Sequence, residues 1–430
     1  MTAALWSVSL FALVFFLTEA ERVDRNQAMV GGAILMLFLG WFFDFYTLQA
    51  ALKAVYFDTL ALIFGMSLVG NVLVRSGVFT VLATKVANYS RGNAQLVLVL
   101  LVLTTYSFSL VVNNLATMLI MLPLTLAICS SLKLKPVAIV AAELVASNLG
   151  GASTLTGDFP NMIIGAAGKL HFDDFIGSMM VPCLMLLAVT LGYFGKRVVR
   201  LSNGVATTGK SIFESSESVE IDYYLLRVGL TVLGVMLFAL VFSYPLGLQS
   251  GSVALVAGAV LLIFGRVPQG ALLKAMSGDD ILFFAALFIL VGGLQSAGVL
   301  SGLHDLIVAL GARNATQSSL VLMLISALLT PFLNAGPTTA LIVPVASVLS
   351  REFPGSPVWW ALSLGVLAGS SATLSGATAG PVVSSQMSYQ SGGKPDSGWV
   401  LDSRTYRQWG IPIASTFLVF SMLYIVVWVR

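Results

Sequence analysis

The stretch Ser147 to Asn161, SNLGGASTLTGDFPN, holds the residues best suited to chemistry. It lies in an apolar segment long enough for a membrane helix, yet it contains Gly150, Gly151, Gly157 and Pro160 and six Ser, Thr or Asn side chains. A helix cannot run through it unbroken. In lipid an unsatisfied backbone group costs several kcal/mol, so such a break is tolerated only inside protein or against a wet cavity. Freed amides favour an anion and unwound carbonyls a cation, so a break of this kind can hold an ion or a small solute. Asp158 sits within it and Glu143 lies upstream in the same segment. An ionisable side chain at membrane depth is a functional candidate. Asp158 precedes Pro160 and is also placed to cap a second half-helix. Glu143 is one turn from the segment end, within reach of Lys133 and Lys135.

Three further polar clusters resemble this one. Residues 95–130 are interrupted by VVNNLAT, with Asn113, Asn114 and Thr117. Residues 318–350 are interrupted by LNAGPTT, with Asn334, Thr338 and Thr339. Each segment reads as a re-entrant helical hairpin with its polar knot at the tip. The fourth cluster is GSSATLSGATAGP, Gly369 to Pro381, with Ser371, Thr373 and Ser375. The expected solute-binding set is Asn113, Asn114, Thr117, Asn148, Ser153, Thr154, Asn334, Thr338, Thr339, Ser371, Thr373 and Ser375. The expected ion-coupling set is Asp158, Glu143, Thr156 and Asn161. No cofactor or metal site is expected: His171 and His304 fall at segment ends, and Cys129 and Cys183 lie in apolar segments as reduced thiols.

The clusters are related by an internal repeat. A shift of 221 residues places Asp58 on Asp279, Gly77 on Gly298, Asn113 on Asn334, Thr117 on Thr338 and Pro123 on Pro344. A shift of 219 places Thr154 to Gly157 on Thr373 to Gly376. The fold class expected is an all-α polytopic membrane protein of two repeats. Each has five transmembrane helices, one of them broken, and a re-entrant hairpin. The units are residues 1–200, with hairpin 95–130 and broken helix 136–167, and residues 222–430, with hairpin 318–350 and broken helix 357–385. A polar cytoplasmic linker, 201–221, joins them. Five crossings are an odd number, so the repeats must be inverted. The second repeat offers no acidic counterpart to Asp158 or Glu143.

Composition agrees. The 430 residues are 57% hydrophobic and 10% charged, with mean hydropathy +0.94, where a soluble domain carries about 25% charged residues. Leu5 to Leu17 lacks a basic flank and a small-residue cleavage site and reads as a retained first span. With the N-terminus outside, all but five of the 22 Lys and Arg residues fall on the cytoplasmic side. The exceptions are Lys53, Lys169, Arg313, Arg351 and Arg430. That asymmetry sets the orientation, with both termini outside an inner (plasma) membrane. Phe79 to Asn88 is amphipathic and expected at the interface. No nucleotide motif or metal cluster suggests an enzyme, and nothing suggests a nucleic-acid partner.

SNLGGASTLTGDFPN resembles the SNIGGTATLIGDPPN pattern of ArsB/NhaD-type permeases of the ion transporter superfamily. The tips VNNLATMLIMLP and LNAGPTTALIVP and the span ILFFAALFILVGGLQSAGVL, Ile281 to Leu300, extend the resemblance along nearly the whole chain. It implies a secondary transporter in the lipid bilayer, a homodimer, and hairpins and broken helices that move as an elevator against a scaffold. It also implies a small inorganic solute coupled to a proton or sodium, and allows an ATPase subunit as partner. The chain departs from sodium/proton antiporters of this group, whose tips resemble Asp-Asn, and from symporters with Ser-Asn-Thr tips. With no basic residue at depth for a dianion, proton-coupled efflux of arsenite or antimonite as neutral hydroxides is the first expectation. A sodium/proton antiporter using Asp158, or a sodium-coupled small-anion transporter, is the alternative.

Overall fold

A computed structural model describes residues 2–19, 23–90, 93–202, 221–243, 247–266, 278–309, 314–355, 357–390 and 399–427. Most of the expected linker, with Glu214, Glu217 and Glu220, lies outside the described residues. Regular structure among the described residues is helical. The first half runs α1 (Thr2–Glu19), α2 (Arg25–Phe42), α3 (Leu48–Ala54), α4 (Phe57–Arg75), α5 (Val78–Tyr89), α6 (Ala94–Ser109), α7 (Asn114–Leu132), α8 (Val137–Ser153), α9 (Phe159–Gly168), α10 (Phe172–Phe175) and, after a π-helical turn, α11 (Val181–Ser202). The second runs α12 (Tyr223–Val241), α13 (Ser250–Phe264), α14 (Gly278–Ser296), α15 (Val299–Ala309), α16 (Ala315–Leu333), α17 (Ala335–Glu352), α18 (Val358–Ser370), α19 (Gly380–Gln390) and α20 (Ser403–Val427). Seven of the described helices are long and apolar enough to cross a membrane.

The 221-residue shift carries α4 onto α14 from end to end, and the first residues of α6, α7, α8 and α9 onto those of α16, α17, α18 and α19. Local chemistry repeats with it. Asn93 and Asn314 cap α6 and α16 by accepting from amides in the first turn. Gly77 and Gly298 end α4 and α14 at φ +75° and +78°, a left-handed conformation that glycine adopts without strain. Each turn leads into a short helix, α5 or α15, and then into a hairpin. The amphipathic segment expected at Phe79 to Asn88 is α5.

The halves interlock through exchanged contacts. Helix α4 packs along α13, and α14 packs along α2. Gly65 lies against the Ala254 backbone, Gly251 against Asp58, and Gly293 against Met36. Small residues let membrane helices approach this closely, where dispersion rather than water expulsion holds them. The carboxylate of Asp58 accepts from the Gly251 amide at 2.8 Å, so one half caps a helix of the other. At the opposite contact Arg25 donates to Asp280 at 2.6 Å. The hairpin α6–α7 turns at residues 110–113, beside the break between α8 and α9. Its tip thus stops partway along a spanning element, as a re-entrant hairpin must. Cys129 and Cys183 are buried free thiols.

His304 on α15 lies 3.2 Å from Glu352 at the base of the second hairpin, with Asp305 at 3.5 Å. The hydrogen bond to Glu352 is the main cause of an upward shift in the imidazole pKa. A raised folded-state value means stabilisation present below the ordinary histidine range and lost as pH rises through the shifted value. Thermal midpoints taken between about pH 5 and 9 should fall more with rising pH in the wild type than in His304→Gln. A second variant, Gly65→Leu, drives a side chain into the Ala254 carbonyl. It should lower the thermal midpoint of detergent-solubilised protein, an overpacking cost of about 1–3 kcal/mol.

Candidate functional site

The break forms because its backbone groups find partners elsewhere. Helix α8 ends at Ser153, and Thr154 and Asp158 take extended conformations. Thr154 Oγ1 donates to the Leu110 carbonyl of the hairpin tip at 2.8 Å and accepts from the Gly157 amide at 3.1 Å. Asn161 Nδ2 donates to the Ala152 and Thr154 carbonyls at 2.9 and 2.8 Å. These carbonyls belong to the last turn of α8 and the break, where no intrahelical donor remains. Gly151 has no room for a Cβ beside Asn114, Asp158 and Gly157.

Asp158 caps α9 as expected. Its Oδ1 accepts from the Phe159 amide at 2.9 Å, and Pro160 follows in the first turn. Its Oδ2 accepts from Asn114 Nδ2, also at 2.9 Å. Asn114 in turn lies 3.3 Å from Asn148 Oδ1, and Ser109 Oγ donates to Asn114 Oδ1 at 2.7 Å. Asp158 is 7% exposed and has no ion pair among the described residues. The positive end of α9 and two amide donors therefore face its oxygens.

The two halves meet here. Asn148 Nδ2 lies 3.4 Å from the Ser370 carbonyl, and Ser363 Oγ donates to Asn161 Oδ1 at 2.8 Å. Between them is a cavity of about 10 Å³ lined by Asn148, Asp158, Asn161, Ser363 and Ser370 among apolar neighbours. That is room for one water or one small ion. Ser363 and Ser370, together with Ser109, were not among the expected site residues. Ser363 precedes Ser370 by seven residues, two helical turns, so the two share a face of α18; that spacing was the available signal.

Glu143 is placed elsewhere. It is fully buried between α8 and the hairpin arms, where Oε1 accepts from Thr125 at 2.9 Å and Thr105 at 3.2 Å. Its Oε2 has no partner among the described residues. Neither Lys133 nor Lys135 pairs with it. About 15 Å of helix separates it from the end of α8, so it does not join the Asp158 cluster.

The second tip and break repeat the contacts of the first without a carboxylate. Thr373 Oγ1 donates to the Pro331 carbonyl at 3.3 Å and accepts from the Gly376 amide at 3.0 Å. Asn334, at φ +72°, donates to the Ser375 carbonyl at 3.0 Å. Most of the other expected solute ligands likewise bond to nearby backbone. Thr117 donates to Val112, Ser153 to Leu149, Thr339 to Ala335, Ser371 to Leu367 and Ser375 to Pro331. Asn113 caps α7 through the Ala116 amide. The hydroxyls of Thr156 and Thr338 are buried without a partner among the described residues.

Asn114→Ala leaves Asp158 Oδ2 without a donor, a buried loss of about 1–3 kcal/mol. Thermal unfolding should show that loss. The double variant with Asp158→Ala should lose less than the sum of the two single variants, because they share one bond.

The family model described as citrate transporter (CitMHS) matches residues 13–365. Two magnetosome proteins named MamN are each 38% identical to the chain, covering 98% of it and 97% of their own length. They come from Magnetospirillum gryphiswaldense and Paramagnetospirillum magneticum. The Homo sapiens P protein is 26% identical over 87% of the chain and 55% of its own length. Among solved structures, the Alcanivorax borkumensis YdaH transporter, described as having an unusual topology, matches with a TM-score of 0.55. It is 17% identical, over 86% of this chain and 84% of that one, and so shares the fold. By its family match and its near full-length similarity to MamN, the chain belongs to the CitMHS family of membrane transporters.

Proposed function

We propose that the chain is a secondary transporter in which Asp158 binds the coupling ion, exchanging a proton for sodium at the junction of the two halves. The observation that carries this reading is the water-sized cavity on which Asp158, Asn148, Asn161, Ser363 and Ser370 converge. A carboxylate with several neutral oxygens suits a small hard cation or a proton. The same cavity suits a carboxylate solute poorly. Such a solute would meet the charge of Asp158 and no Lys or Arg among the lining residues. We read the movement as alternating access: each tip is fastened to its own break, so tips and breaks would travel together against the scaffold in which α4 packs on α13 and α14 on α2.

Efflux of arsenous or antimonous hydroxide, coupled to a proton on Asp158, is the second reading. It rests on the many Asn, Ser and Thr side chains of the tips and breaks. The geometry favours it less, because most of those hydroxyls donate to backbone carbonyls and the enclosed space is the size of one water.

Proteoliposomes under an imposed pH gradient distinguish these readings. Sodium flux that dissipates the gradient, absent in a folded Asp158→Asn variant, is the expected result. Gradient-driven arsenite movement without sodium would favour the second reading. Wild-type rates for Asp158→Asn would remove Asp158 from either.

A further inference from the structure

The first arm of each hairpin crosses its broken helix in the same way. The Tyr106 carbonyl presses on Gly150, and the Ala327 carbonyl presses on Gly369. The side chains at this shared register differ. Tyr106 fills the first copy, its hydroxyl 2.8 Å from Ser153 Oγ and 3.4 Å from Met180 Sδ. Ala327 leaves the second copy open. It lines a groove of about 600 Å³ between α16, the end of α18 with the break after it, and α20.

The groove is long, apolar and charged at one end only. Along α20 it follows one helix face from Ser403 through Arg407 and Ile411 to Leu418. That face is about 22 Å long, more than the roughly 15 Å of hydrocarbon in one leaflet. The opposite wall carries Leu328 and Phe332, 68% and 73% exposed. Thr373 and Ser375 in the floor already donate to the Pro331 carbonyl, which leaves little to hold a small polar solute. Arg407 lies one turn into α20, its Nε donating to the Ser403 carbonyl at 3.2 Å. No carboxylate pairs with it among the described residues. A guanidinium binds phosphate well. The distribution of Lys and Arg assigns this end to the cytoplasmic leaflet, where anionic lipid concentrates.

We infer that this groove binds an anionic phospholipid, with one acyl chain lying between α16 and α20 and the phosphate at Arg407. Part of the acyl chain would take the place at the helix crossing that Tyr106 takes in the first half. This does not depend on the ion assigned to Asp158.

The full-length protein in detergent can be titrated with phosphatidylglycerol or phosphatidylcholine, and bound lipid counted by native mass spectrometry. Phosphatidylglycerol should bind at least about fivefold more tightly, the value of one cationic side chain near the surface. Arg407→Gln should abolish that preference. Ser415→Trp, which fills the groove from its exposed side, should abolish binding of both lipids, as should Ala327→Tyr, which copies the first half. A thermal midpoint checks folding, and if Ala327→Tyr does not fold, Ser415→Trp decides. The inference is overturned by equal affinity for the two lipids, by an unchanged preference in Arg407→Gln, or by full binding to folded Ser415→Trp. Displacement of the lipid by inorganic phosphate alone at equal concentration would also overturn it, marking a small-anion site instead.

Discussion

A helix can break inside a membrane only if another part of the chain takes up the backbone groups it frees. That constraint organises this protein. Asn161 takes carbonyls at the end of α8, and Thr154 ties the break to the Leu110 carbonyl of the hairpin tip. The tip is therefore fixed where the helix ends, and with it Asn114. Once Asn114 and the Phe159 amide are in place, they hold the Asp158 carboxylate on both sides. The site is thus a consequence of satisfying the break.

The halves share this framework and differ in what they add to it. Thr373 and Gly376 rebuild the Thr154–Gly157 turn, and Pro331 stands where Leu110 does. Yet Asp158 has buried Ala377 as its counterpart, and Tyr106 has Ala327. The first half carries the carboxyl group and a filled crossing. The second carries neither, and supplies Ser363 and Ser370 to a cavity whose carboxyl group comes from its mate.

Much of the fold was legible because the rules of lipid leave few options. The repeat, the hairpins and the breaks followed from Gly, Pro and Asn at fixed spacing in apolar segments, and the helix starts obey the 221-residue shift closely. Asp158 as a helix cap was readable from Pro160 two residues on. Side-chain orientation was not. Thr373 and Ser375 looked like solute ligands, but a hydroxyl beside a free carbonyl bonds to it first. Glu143 shares a helix with the break but lies about 15 Å from it along α8, where its partners Thr105 and Thr125 come from the hairpin arms. Ser363 looked like an ordinary helix residue, because only the packing of α18 against α8 and α9 brings it to Asn161.

The central claim is that one carboxylate, Asp158, exchanges a proton for a cation. Infrared difference spectroscopy of the reconstituted protein tests it directly. Adding sodium at constant pH should remove a protonated-carboxyl band in the wild type, with no such change in Asp158→Asn. The same loss in Asp158→Asn, or no sodium-dependent carboxyl signal in the wild type, would contradict the account.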